Sequence, residues 1–190
     1  MNKKRVFIIH GWEAVPESNW FPWLKEELEK QNIDVAVPMM PNTYHPIFSE
    51  WLAHLKKNIG TPDKNTYLVG HSLGVITILR FLELLPLGQK IGGVVLVAGF
   101  PEPIGYDEIK SFFVTPLDYE KIKNSAEKFI AINSDDDPYV PLRNGEILRD
   151  KLGAELIIVP NGNHLNEGAG FTELPVVLES LLKIYAKGKI

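Results

Sequence analysis

The sequence predicts an α/β fold: a mostly parallel sheet of six or seven strands with helices on both faces, in one domain over residues 1–190. Three observations carry this expectation. Short apolar, β-branched runs alternate with longer segments of helical period, the pattern of repeated strand–helix–strand units. One helical segment, residues 73–85, is apolar on nearly every face, so it belongs at the centre of the molecule. No internal repeat, low-complexity tract or linker divides the 190 residues, a length at which one domain buries roughly 70% of its unfolded surface.

Taken in order, RVFIIH opens as the first strand. Ser18 is a candidate N-cap for a helix with Trp20, Trp23, Leu24 and Leu28 on one face, and Pro22 falls in the first turn, where no N–H is missed. Ile33 to Pro38 reads as strand two, followed by a helix spaced by Phe48, Trp51, Leu52, Leu55 and Ile59. Thr66 to Gly70 is strand three, and the apolar helix after it runs from Leu73 to Leu85, ended by Pro86. Gly92 to Gly99 and Phe129 to Ser134 are strands four and five, with two short helical patches between them around Ile109 and Ile122. Pro141 opens a helix through Leu152 that Gly153 closes, Leu156 to Pro160 is strand six, and Glu173 to Lys187 is the last helix.

Composition excludes several classes. A net charge of -4 argues against nucleic acid as a partner, since phosphate-tracking surfaces carry clustered Lys and Arg. No apolar run approaches the ~20 residues of a membrane span, and Val6 to Ile9 is too short for a secretory core, so a soluble, cytoplasmic protein is expected. Without cysteine there is no thiolate nucleophile, disulfide or zinc knuckle, and the histidines lack metal-ligand spacing. Neither phosphate-cradling glycine motif occurs, so no metal and no cofactor are expected.

Gly70-His71-Ser72-Leu73-Gly74 matches G-x-S-x-G, the strand-to-helix turn on which α/β-hydrolases mount a serine nucleophile. Context strengthens the match, because it leaves an apolar strand and enters a helix directly. The turn strains the serine backbone, and side chains two residues either side would strike the neighbouring strand and helix unless they are small. A serine hydroxyl needs a base, itself oriented by an acid, and in this fold the order is Ser, acid, His. His164 is the only histidine after Ser72. The acid belongs to the loop after strand five, where Asp135, Asp136 and Asp137 stand in a row; Asp137 is favoured by its place at the turn Asp137-Pro138-Tyr139-Val140-Pro141, leaving the other two as solvated turn or cap residues. Two backbone N–H groups should bind the oxyanion: Leu73, and from the loop after strand one Trp12, with Glu13 as the alternative. His71 is expected to pack beside the sheet edge and His10 to brace the first loop. Of the aromatics after strand four most fill the core, and Phe100, Phe112 and Phe113 are the candidates for an apolar substrate slot.

The segments HGW, ESNWFPWL, GHSLG, SDDDPYVP and NHLNEGAGF, in this order over nearly the whole chain, resemble the small serine hydrolases of the retinoblastoma-binding-protein-nine type and their short bacterial relatives. The resemblance implies a compact α/β-hydrolase without a separate cap domain, and a triad that falls on Ser72, Asp137 and His164. Many relatives read Gly-His where this chain reads Asn163-His164, and the Pro103 to Pro116 region varies too widely among them for a substrate to be transferred. The expected function is hydrolysis of a small-molecule acyl ester, or of a thioester or amide, through an acyl-enzyme. A small peptidase, or a binding or regulatory protein that keeps the fold with weak hydrolysis, are the alternatives.

Overall fold

The computed structural model describes residues 3–187. Six strands, β1 (Arg5–Ile9), β2 (Asp34–Ala36), β3 (Thr66–His71), β4 (Gly93–Val97), β5 (Phe129–Ser134) and β6 (Glu155–Val159), form one sheet in the order β2-β1-β3-β4-β5-β6. Every pairing is parallel. The strands therefore all end on one edge. Between β1 and β3 the chain leaves the sheet in opposite directions, which opens a crevice at their carboxyl ends.

The helices are α1 (Phe21–Glu29), α2 (Phe48–Ile59), α3 (Leu73–Leu82), α4 (Tyr119–Lys123), α5 (Arg143–Leu152) and α6 (Pro175–Lys187). Strand residues alternate between two cores, because successive side chains leave a strand on opposite faces. Val6, Ile8, Val95 and Ile130 pack with Phe21 and Leu24 of α1 and Val177 and Leu181 of α6. Phe7, Ile9, Leu96 and Ala131 pack with Trp51 of α2, Ile76 of α3, Ile122 of α4 and Leu148 of α5. With both faces covered, the inner strands read as continuous apolar runs. Residues 73–82 of α3 are all buried. At the opposite edge from the crevice, Tyr185 near the end of α6 meets Tyr67 edge-on at 4.5 Å between centroids, and the Lys4 ammonium lies 4.2 Å over the Tyr185 ring. Among the described residues no helix is long and apolar enough to cross a membrane.

Several boundaries differ from the sequence reading. Ser18 does not cap α1: its hydroxyl accepts the Val15 N–H at 3.0 Å in a turn of its own, and the helix starts at Phe21 with Pro22 in its first turn. Strand β2 is three residues rather than six, since it lies at the sheet edge and pairs only with Arg5–Phe7. Helix α3 ends at Leu82, where Arg80 is drawn aside. Its Nε donates to Phe112 O at 3.0 Å and its Nη1 to Glu83 at 2.9 Å, while Nη2 donates to Thr115 O. These bonds tie the connection after β4 to the body of the protein. That connection contains a 3₁₀ helix at Asp107–Phe113 and then α4, and it forms no separate cap. Helix α5 begins at Arg143, two residues after Pro141, and ends as expected on a left-handed Gly153 at φ 68°.

Candidate active site

The turn from β3 into α3 puts Ser72 at φ 53°, ψ -119°, a backbone region that ordinary residues avoid. Close packing explains its glycines. A Cβ on Gly74 would lie 2.1 Å from Ile9 O of β1, and one on Gly70 would lie 3.0 Å from the backbone of Gly74 and 2.9 Å from Ile78 of α3. The Ser72 N–H remains paired to Val97 O of β4 at 2.9 Å, so the strained residue is anchored from the sheet side.

Ser72, His164 and Asp137 form a hydrogen-bonded line. Ser72 Oγ lies 3.1 Å from His164 Nε2, and His164 Nδ1 lies 2.8 Å from Asp137 Oδ2. The Asp137 side chain is fully buried and that of His164 is 11% exposed. Asp137 Oδ1 accepts the N–H groups of Tyr139 and Val140 at 2.9 and 3.0 Å, which fixes the carboxylate plane. A carboxylate can only accept, so His164 carries its proton on Nδ1 and presents the Nε2 lone pair to the serine hydroxyl. That arrangement can take a proton from Ser72 and return it to another oxygen or nitrogen.

The two neighbouring aspartates also have work. Asp135 Oδ1 accepts the Asn161 N–H at 2.8 Å, and Asp136 Oδ1 accepts the Asn163 N–H at 2.7 Å. Ser134 Oγ accepts the Gly162 N–H at 2.9 Å and donates to Asp136 at 2.6 Å. The end of β5 thus grips three successive N–H groups of the loop that carries His164. Asn161, Asn163 and Leu165 in that loop are left-handed, with φ of 52°, 46° and 50°. Asn163 therefore holds the conformation that a glycine would take, which asparagine tolerates better than most residues. Hydrogen bonds from Ser134 and Asn163 hold the Asp136 carboxyl below its ordinary range. Its contribution to stability is then present above a carboxylate's usual pKa of about 4 and is lost as the pH falls through the lower folded value. Asp136→Asn should remove this acid sensitivity: the difference in urea midpoint between variant and wild type shrinks as the pH is lowered from 7 towards 3.

His71 is not at the sheet edge as expected but on the central strand β3, buried beneath His164 with ring centroids 5.0 Å apart. Burial, followed by the proximity of His164, pushes its pKa down to about 3, so the ring is neutral at physiological pH. Its Nε2–H donates to His164 O at 3.0 Å, while Nδ1 has no partner among the described residues. Opposite it, the fully buried Trp20 donates its indole N–H to Leu165 O at 2.9 Å. Trp20→Phe leaves that carbonyl unpaired and should cost about 1–3 kcal/mol of stability, read from the urea unfolding midpoint. His10 braces the first loop, accepting the Met40 N–H on Nε2 at 3.0 Å.

Of the candidate oxyanion donors, Glu13 N–H is already given to Thr43 O at 3.0 Å. No acceptor among the described residues takes those of Trp12 or Leu73. The loop after β1 runs close by, a Cβ on Gly11 lying 3.0 Å from Ser72 Cβ.

A cavity of about 350 Å³ beside Ser72 is lined by Phe100, Ile104, Tyr106, Ile109 and Tyr139, among others. Phe112 does not reach it: the ring is fully buried and meets Phe48 and Trp51 edge-on at 5.5 and 5.8 Å. Phe113 stacks on Phe100 at 5.9 Å and borders a neighbouring depression instead. Tyr106 is one of the aromatics after strand four from which an apolar slot is expected, whereas Ile104, Ile109 and Tyr139 are not expected there from the sequence. Tyr139 could have been found from its place two residues after Asp137, while Ile109 lies in an expected helical patch whose short length does not say which face meets the site.

The profile of the Serine hydrolase family matches residues 6–183. The chain belongs to that family. This serine hydrolase is 39% identical to the YdeN protein of Bacillus subtilis, over 97% of each chain, and 26% identical to serine hydrolase RBBP9 of Rattus norvegicus, over 91% of each. The solved structure of the B. subtilis ydeN gene product superposes with a TM-score of 0.93 at 38% identity, covering 97% of this chain and all of that one. Est1E of Butyrivibrio proteoclasticus, 13% identical, shares the fold at a TM-score of 0.75 over 97% of this chain and 89% of its own. The architecture is that of an α/β-hydrolase, and the serine hydrolase has a six-stranded, all-parallel version of it.

Proposed function

We propose that this serine hydrolase cleaves small acyl esters in the manner of a carboxylesterase, through an acyl-enzyme on Ser72. The observation that carries the reading is the line Ser72 Oγ–His164 Nε2 at 3.1 Å and His164 Nδ1–Asp137 Oδ2 at 2.8 Å. Ser72 Oγ attacks the ester carbonyl carbon as His164 Nε2 takes the hydroxyl proton. The carbonyl oxygen becomes an oxyanion bound by the Trp12 and Leu73 N–H groups, each worth roughly 2.7–4 kcal/mol of barrier. When the tetrahedral adduct collapses, the bond to the leaving oxygen breaks and the proton on Nε2 goes to that oxygen. Water then repeats the sequence on the acyl-enzyme and releases the acid. Asp137 keeps the imidazole in the productive tautomer and stabilises the imidazolium as it forms.

The test is labelling by a fluorophosphonate together with turnover of p-nitrophenyl esters of increasing chain length. The reading expects the label on Ser72 and turnover of the shorter esters. Label on Ser72 with no turnover of any acyl substrate would favour the binding-protein alternative.

A further inference from the structure

The cleft at Ser72 is forked. One arm is the aromatic cavity already described. The other, of about 280 Å³, runs between the loop after β1 and the loop after β6, past Glu13, Ser18, Asn19 and Glu167. The arms share Trp12, Glu13, Ser72, His164 and Asn166, so they meet at the nucleophile.

Their chemistry differs. In the second arm, several groups already satisfy one another. Asn19 N–H donates to Glu167 Oε2 at 3.1 Å, and Glu167 N–H to Asn19 Oδ1 at 3.0 Å. The charged residues that line it are the exposed Glu13 and Glu167, with Glu13 standing where the two arms meet. His71 borders this arm as well, and its buried Nδ1 is an unpaired acceptor, because Nε2 carries the ring proton. The Nδ1 edge faces Gly11, a Cβ there lying 3.5 Å away, and Gly11 lines the same arm. Among the described residues no Lys or Arg lines either arm. Two carboxylates and a bare imidazole nitrogen suit a positively charged group that donates hydrogen bonds, and they repel phosphate-rich carriers.

The arms also have an order. His164 Nε2 must hand its proton to the leaving oxygen, and Glu167 and Gly168, three and four residues after His164, line the second arm alone. The aromatic arm offers the burial that an apolar acyl group gains from.

Resting on the function proposed above, we infer that the second arm receives the leaving group, and that the favoured substrates are esters of a short apolar or aryl acid with an alcohol bearing an ammonium group. The test compares 2-(dimethylamino)ethyl benzoate, protonated near neutral pH, with the uncharged 3-methylbutyl benzoate of the same shape. Their kcat/KM ratio is divided by the ratio of their alkaline hydrolysis rates, which removes the intrinsic activation by the ammonium group. This corrected ratio should be about tenfold at low ionic strength, or ~1.4 kcal/mol of discrimination. It should fall several-fold in Glu13→Gln/Glu167→Gln, whose glutamine at 167 still offers an oxygen to Asn19 N–H. It should also collapse in about 1 M salt, where the screening length drops to roughly 3 Å. A corrected ratio near one, or one that survives both the double substitution and salt, overturns the inference while leaving the esterase reading intact. Turnover of neither ester by an enzyme that labels at Ser72 overturns the substrate class, and failure of labelling as well overturns the function proposed above.

Discussion

Ser72→Ala should lower kcat for a short p-nitrophenyl ester by about a million-fold, leaving the residual acceleration of roughly 10³–10⁴ over water that oxyanion binding alone provides. In the proposed mechanism the effect is this large because the serine oxygen becomes part of the intermediate; without it His164 would act only on water that nothing positions. The fold should hardly notice. Ser72 is tied to the sheet through its backbone N–H and Val97 O, and alanine keeps that bond. The positive φ of 53° burdens alanine and serine alike, so the urea midpoint should stay near that of the wild type. Measured in one preparation, unchanged unfolding with lost turnover and lost fluorophosphonate labelling separates a chemical role from a structural one. Activity within tenfold of the wild type in Ser72→Ala would remove the serine from the mechanism.

Asp137→Asn should lower kcat at neutral pH by about ten-thousand-fold, the cost of the wrong imidazole tautomer in a triad. The local geometry makes the outcome sharp. The Tyr139 and Val140 N–H groups both point at Oδ1, so the asparagine must turn its carbonyl oxygen toward them. Its NH₂ group is then left at the position of Oδ2, 2.8 Å from His164 Nδ1. Donating there forces the ring proton onto Nε2, where it faces the Ser72 hydroxyl and blocks proton uptake. Because the turn hydrogen bonds survive, the unfolding midpoint should move little, and the fluorophosphonate labelling rate should fall in parallel with kcat. A loss of less than a hundredfold, with folding intact, would mean that Asp137 does not set the tautomer.

Patterns that depend on one-dimensional spacing were legible in the sequence. Strand β5 has the predicted bounds, α3 starts where the glycine turn ends, and Ser72, Asp137 and His164, named from motif and chain order, lie in one hydrogen-bonded line. What could not be read depended on which of several competent groups a backbone atom finds. Ser18 has the chemistry of an N-cap, yet its hydroxyl is taken by the nearer Val15 N–H. The run Asp135-Asp136-Asp137 contains three equivalent acids, and only the approach of the β6 loop distributes them, two to backbone N–H groups and one to the imidazole. Phe112 and Phe113 are neighbours of the same type, and only their tertiary partners tell them apart, Phe48 and Trp51 for the first and Phe100 for the second. His71 looked peripheral because its place at the end of a strand hides that the strand is the third of six in the sheet.

Lys4 and Tyr185 touch at the pole of the molecule farthest from the cleft, because parallel strands begin there and α6 runs back to it. Both ends of the described chain therefore lie behind the face that carries Ser72. A tether fixed at either end would hold the enzyme on a support with its mouth turned outward, open to substrate. A short peptide joining the two ends would span little distance, and new ends could be opened in the solvent-exposed turn around Leu87, which also lies clear of the cleft.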